Sequence, residues 1–264
     1  LMLFVAGVVV VAILLGKSPM TLFAGLGATS AVLMLVFKDT ILGLAAGVRL
    51  TSNDMLHKGD WITVKSVDAN GIVEDMSLTT VKVRNFDNTI VTISPATLVN
   101  GSFQNWIGMQ KSGGRRAKRI VYFDFRSIRL VDETLKQTLL AKHFATEDSF
   151  KLKESLQKAI EKDIQEGKDI EDLKNPAALA PTNLQLYRRF MEKYLRQRPE
   201  VNTELTLMVR HMEATQCGLP IEFYFFIKDK VWVNYEHILA DIMEHAYALA
   251  NEFGLKIYEQ YPEQ

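Results

Sequence analysis

Two uncharged apolar runs open the chain, residues 1–16 and, after Lys17, Ser18 to Phe37. A helix needs about 20 residues to cross the hydrocarbon of a bilayer. The pattern therefore predicts a partial transmembrane helix over 1–16 and a second transmembrane helix over 19–50, which begins at a Pro19 suited to a first helical turn. Lys38 and Asp39 interrupt the second run, yet Thr40 to Val48 is again almost wholly apolar. A helix that left the hydrocarbon at these charges and continued along the interface would keep them wet while burying Ile41, Leu42, Leu44 and Val48. That places a kink near 38–40, with Lys38, Asp39, Gly43 and Gly47 as its hinge candidates. The first half of the span is rich in small residues, among them Gly25, Gly27 and Ala28, with Val32 one turn beyond Ala28. Gly27 and Ala31 stand at small-xxx-small spacing, and Ala24, Ala28 and Ala31 share a face. In lipid such residues let helix backbones approach closely, so this helix is expected to pack against copies of itself. The plainer reading is an anchor helix that happens to be rich in glycine and alanine.

Past residue 50 the period shortens. Trp61–Val67, Ile72–Met76, Thr79–Arg84 and Thr89–Ile93 are short, rich in β-branched residues and separated by turn signals at Asn70-Gly71 and Asp87-Asn88. A small β domain over 51–110 follows, and a domain of that size buries little core alone, so neighbouring copies or the membrane-proximal helix should support it. Lys111 to Arg119, with Ser112-Gly113-Gly114 and then Arg115, Arg116, Lys118 and Arg119, reads as a linker or the start of a strand with a basic surface. The remainder, 111–264, alternates periods: a strand near Arg119–Asp124, a helix near Asp132–Lys142, a helix capped by Asn183, strands at Glu204–His211 and Ile221–Ile227, a helix at Asn234–Phe253 and a short strand at Leu255–Tyr258. That order is an α+β domain of ferredoxin-like, split β-α-β type. It is interrupted near 146–175 by a charged helical insertion carrying Leu152, Leu156, Ile160 and Ile164.

Charge and chemistry narrow the functions. Thirty-one basic and thirty-one acidic residues give a net charge of zero, which argues against nucleic-acid binding, where affinity rests largely on neutralising phosphates. The basic run Arg115–Arg119 is a solvated surface or one that tunes nearby ions. Lys17 is the one basic residue of the turn between the apolar runs, whereas Lys38, Arg49 and Lys58 gather at the other end, so the C-terminal part is expected to be cytoplasmic. The opening run has neither the basic start nor the cleavage site of a signal peptide, and the natural chain is expected to continue upstream. The single Cys217 pairs with nothing in the chain, fits a reducing compartment, and has no histidine near it in sequence to make it a nucleophile. His237, Asp241 and His245 recur every four residues, as a metal site on a helix would, but helical spacing alone produces such rows on solvated or subunit-contact faces. No phosphate-binding glycine loop or paired acid and base motif is present. Neither enzymatic activity, a metal nor a cofactor is expected.

Gly25-Leu26-Gly27-Ala28, Ile41-Leu42-Gly43-Leu44-Ala45-Ala46-Gly47, Lys58-Gly59-Asp60-Trp61-Ile62, Gly71-Ile72-Val73-Glu74 and Ser94-Pro95, in this order and spacing, resemble the signature of the small-conductance mechanosensitive channel (MscS) family. The resemblance is most specific from Pro19 to Trp106, and the insertion is similar to that of the miniconductance subgroup. It implies a homoheptamer in the bacterial inner membrane. Each subunit would give one helix to a central pore, with a β ring and an α+β chamber below it, and membrane lipids and permeating ions would be the other partners. It also implies opening by membrane tension and release of ions and small osmolytes under hypoosmotic stress. Counted back from Gly47, the family's two constriction positions fall on Ala31 and Leu35. An alanine ring seals less well than a ring of large apolar groups, so Leu35, with Met34 or Phe37, is the expected hydrophobic constriction. The family's kink glycine falls on Asp39, and Ala96 stands where the family usually has asparagine, both departures from its pattern. The alternative from another class is a membrane-anchored ligand-sensing scaffold.

Overall fold

The computed structural model describes residues 2–151, 158, 162 and 180–260. It divides into two compact units, residues 1–108 and 109–264. Apart from 146–151, 158 and 162, the insertion expected over 146–175 lies outside the described residues, with Leu152, Leu156, Ile160 and Ile164.

In the first unit, α1 (Met2–Leu14) packs on α2 (Pro19–Ser52). At about 1.5 Å per residue α1 is roughly 20 Å long, short of a bilayer. Among the described residues, α2 alone is long and apolar enough to span one. The β domain is a five-stranded antiparallel sheet in the order β4-β3-β2-β1-β5, with β1 Trp61–Val64, β2 Ala69–Met76, β3 Val81–Asn85, β4 Ile90–Ile93 and β5 Gln104–Asn105. Its core is Leu50 from α2 together with Ile62, Val64, Val73, Val81, Val83 and Leu98.

One local expectation is corrected here. Asn70-Gly71 is not a turn but lies inside β2, where Gly71 pairs with both Ile62 and Asn85. A Cβ on Gly71 would sit 1.9 Å from the carbonyl oxygen of Arg84, so the glycine serves close strand approach. The reversal between β1 and β2 falls instead at Lys65–Val67, closed by Asp68 in the left-handed region at φ 51°. Ser94-Pro95 opens a short helix, α3 (Pro95–Asn100). Ser94 Oγ accepts from the Thr97 amide at 3.2 Å and Pro95 takes the first turn, the usual division of labour at a helix start. The Asp87-Asn88 turn stands as expected, with Asn88 at φ 68° between β3 and β4.

The second unit opens with the rest of α4 (Ile107–Lys111) and contains β6 (Arg115–Phe123), α5 (Glu133–Ala141), α6 (Glu147–Phe150), α7 (Asn183–Gln197), β7 (Met208–His211), β8 (Leu219–Ile227) and α8 (Trp232–Glu252). The sheet order is β6-β8-β7, antiparallel throughout. The expected last strand is reduced to one bridge, Ile257 against Phe123 on the free side of β6. The first strand thus lies between the third and the remnant of the fourth, the connectivity of a split β-α-β arrangement. Of the two readings of the basic run, the start of a strand holds and the linker does not: Arg115 to Arg119 opens β6.

One face of this sheet carries the core. Phe123, Phe223, Phe225, Tyr187 and Phe253 are fully buried, and Tyr187 meets Phe123 and Phe253 edge-on at 5.3 and 5.6 Å. Burial pushes the Tyr187 phenol well above its usual range, and the neutral hydroxyl donates to the Ala246 carbonyl at 2.6 Å. The other face holds Glu222, solvent-excluded, with Arg210 at 2.7 Å from one oxygen and Lys118 at 3.2 Å from the other. Burial by itself would raise the Glu222 pKa, but the hydrogen bonds and charges of Arg210 and Lys118 outweigh it and hold the carboxyl below its ordinary value. Asn183 is not the cap of α7. Thr182 is, its hydroxyl accepting from the Gln185 amide at 3.1 Å. Asn183 is instead buried, donating to Ser127 O at 2.9 Å and Phe253 O at 3.1 Å while accepting from the Arg129 amide at 3.0 Å.

Candidate functional site: the apolar helix and its junction with the sheet

Every residue expected to form a constriction, a packing face or a hinge lies on α2. The helix starts sharply: Ser18 Oγ accepts from the Thr21 amide at 3.3 Å and Pro19 occupies the first turn. From Pro19 to Phe37 it is about 28 Å long at 1.5 Å per residue, which matches the hydrocarbon thickness of about 30 Å. Of the two hydroxyls near mid-span, Thr29 and Ser30, that of Thr29 bonds back to Gly25 O at 2.9 Å, which satisfies its donor within the helix.

With successive residues about 100° apart, Ala24, Gly27, Ala28, Ala31, Met34 and Leu35 fall on one stripe. This stripe is bare in the single chain, with Leu35 at 74% and Met34 at 72% exposure. Lys38 and Leu42 continue the same stripe and Asp39 flanks it, so the charge pair sits about one turn, or ~5 Å, beyond Leu35. Phe37 does not join the stripe. Six residues beyond Ala31, it faces about 120° away from it on the helix. Gly25, Val32 and Gly43 define a second stripe, again about 100–120° from Ala31. A Cβ at Gly25, Gly27 or Gly43 would meet nothing within 4 Å, so their small size serves no contact within this chain.

The α2 backbone remains helical through Lys38, Asp39 and Gly43 to Ser52. In its last turns Ala46, Gly47 and Leu50 are buried against the β domain and α3. A Cβ on Gly47 would lie 2.2 Å from the Leu78 carbonyl oxygen in the β2–β3 loop. The glycine is therefore explained by docking of the helix on the sheet, whatever part it also plays in a hinge.

The remaining candidates have ordinary partners. His245 Nδ1 lies 2.9 Å from the Asp241 carbonyl oxygen and its ring stacks on Tyr194 at 5.7 Å. Among the described residues, His237, Asp241 and His245 do not form a cluster that could hold a metal ion. Within the basic run, Arg115 covers the Tyr235 ring at 4.3 Å, Lys118 pairs with Glu222 and Arg119 approaches Glu236 at 3.8 Å. Cys217 is exposed in the Thr215–Gly218 turn.

Residues 39–108 match the family described as mechanosensitive ion channel, beta-domain. The small-conductance mechanosensitive channel MscMJ of Methanocaldococcus jannaschii is 34% identical over 84 residues, 32% of this chain and 23% of its own length. The large-conductance mechanosensitive channel MscMJLR of the same organism is 29% identical over 141 residues, 53% of this chain and 38% of its own. The chain thus matches well under half the length of these relatives. Across 98% of this chain and 73% of the other, the fold resembles that of MSL1 of Arabidopsis thaliana, with a TM-score of 0.63 at 11% identity.

Proposed function

The chain belongs to the small-conductance mechanosensitive channel family, and on that premise we propose that α2 lines a pore that opens under membrane tension. The observation that carries this reading is the bare stripe Ala24, Gly27, Ala28, Ala31, Met34 and Leu35 on a helix of membrane-spanning length, in a unit whose β domain buries the far end of that same helix. A ring of such helices would bring Leu35 of each copy toward one axis, with Met34 beside it and the smaller Ala31 a turn above. Large apolar groups lining a narrow neck keep it dry, and dewetting blocks ions. Tension favours the state of larger in-plane area, so the helices separate, the neck wets and ions and small osmolytes leave. Gly25, Val32 and Gly43, on the second stripe, would face the neighbouring copy, where small residues permit close backbone contact. The proposed assembly is a homo-oligomer, seven copies by family resemblance, of the miniconductance type. It would sit in a bacterial inner membrane with the α+β unit in the cytoplasm, relieving hypoosmotic stress.

The bend expected near 38–40 would arise from solvation of Lys38 and Asp39, with Gly43 next to it on the helix. The test is patch-clamp recording of the reconstituted full-length protein under graded suction, alone and as Leu35→Ser. A hydroxyl ring should wet more readily, and a lower opening threshold or spontaneous opening is the expected result. An unchanged threshold would remove Leu35 from the gate, and silence of both proteins at every sublytic tension would overturn the channel reading in favour of an anchored scaffold.

A further inference from the structure

The C-terminal unit holds a cavity of about 250 Å³ between α7 and the segment joining α5 to α6. Among the described residues, its walls contain no carboxylate and three basic side chains, His143, Arg189 and Lys193. Arg189 and Lys193 stand one turn apart on α7, where like charges repel. Neither makes an ion pair or side-chain hydrogen bond among the described residues. The acids around them are already committed: Glu192 to Arg196 at 3.0 Å, Glu147 to Lys136 at 3.8 Å, and Glu252 to Lys142. Apolar rings supply much of the rest of the lining. Phe144 meets Phe190 edge-on at 5.3 Å and both lean on Phe253, at 5.9 and 5.7 Å, while Tyr194 is fixed by its stack on His245. The rings are thus held in place before any ligand arrives, so binding would cost little ordering.

We infer that this cavity binds a small organic anion made of a flat apolar ring and one carboxylate or phosphate. The ring would lie among Phe144, Phe190 and Tyr194, and the anionic group would take charge-assisted hydrogen bonds from Arg189 and Lys193. Sites for drug-sized ligands run to roughly 300–1,000 Å³, so at about 250 Å³ the occupant is a single-ring acid rather than a dinucleotide. The inference stands on this unit alone and does not require the channel reading.

Titration calorimetry on the full chain in detergent tests it, with phenyl phosphate, benzoate, uncharged benzyl alcohol and inorganic phosphate as probes. At least one ring-bearing anion should bind ten times or more tightly than benzyl alcohol and inorganic phosphate. Which of the two binds better identifies the anionic group. The double variant Arg189→Gln, Lys193→Gln should lose that affinity at least tenfold with its unliganded melting temperature unchanged, because neither side chain holds the fold together. Arg189→Lys should retain most of it. No preference for the ring-bearing anions, or equal affinity in the double variant, would overturn the proposal.

Discussion

Among the described residues, Asn183 and Glu222 are fully buried polar side chains, and each has a polar explanation. Asn183 ties three segments together, the turn after β6, the start of α7 and the end of α8, through Ser127 O, the Arg129 amide and Phe253 O. Each buried group left unsatisfied costs about 1–3 kcal/mol, so Asn183→Ala is expected to destabilise these junctions by about 2–4 kcal/mol. Hydrogen exchange of the full chain would read this as faster exchange at 127–130 and 253–255, and unchanged protection there would refute it. Glu222 makes a prediction about pH. Its folded-state pKa lies below the ordinary value, so its stabilisation is present above that ordinary value and is lost as pH falls through the folded one. Thermal unfolding of the full chain should therefore fall more steeply below about pH 4.3, the unperturbed glutamate value, than that of Glu222→Gln. Parallel acid limbs in the two proteins would show that the Arg210 and Lys118 contacts add nothing.

At the scale of one element, α2 combines two environments. Its N-terminal half is bare and small-residue-rich, whereas its last turns are buried by the sheet and α3. The two halves meet at Lys38 and Asp39, and Lys38 shares the stripe of Leu35. In the proposed pore, a cation in each copy so near the neck would disfavour other cations through its field. Lys38→Glu is therefore expected to move the reversal potential in a KCl gradient toward the potassium potential, with tension gating retained. An unmoved reversal potential would place Lys38 away from the permeation path.

For the whole molecule, the first unit leaves its apolar stripes uncovered, with Leu35, Met34, Val36 and Val32 each more than 60% exposed. Lipid can cover these side chains, but the unfilled space beside Gly25, Gly27 and Gly43 favours another helix. Native mass spectrometry of the full-length protein in detergent should show one closed oligomer of identical chains, the usual outcome for symmetric assemblies. A monomer at concentrations that conduct in bilayers would sink the proposed pore.

The sequence by itself determined the elements whose signal is local. Apolar run length marked α2, strand alternation marked β1 to β4 and β8, the Asp87-Asn88 turn was legible, and the family motifs carried the resemblance. Tertiary structure decided what depends on a distant partner. Gly47 and Gly71 are glycines because the Leu78 and Arg84 carbonyls approach them, and nothing in their own neighbourhood announces either contact. The short helix opened by Ser94-Pro95 emerged only with the fold, where it lies against α2. Asn183 has a capping residue's chemistry but, one position past the cap, turns inward to partners up to 70 residues away. Glu222 sits in an apolar strand as an anomaly until β6 and β7 bring Lys118 and Arg210 to it. The cavity between α7 and the loop before α6 has no sequence signature at all, because its basic and aromatic walls come from segments separated by more than forty residues and joined only by packing.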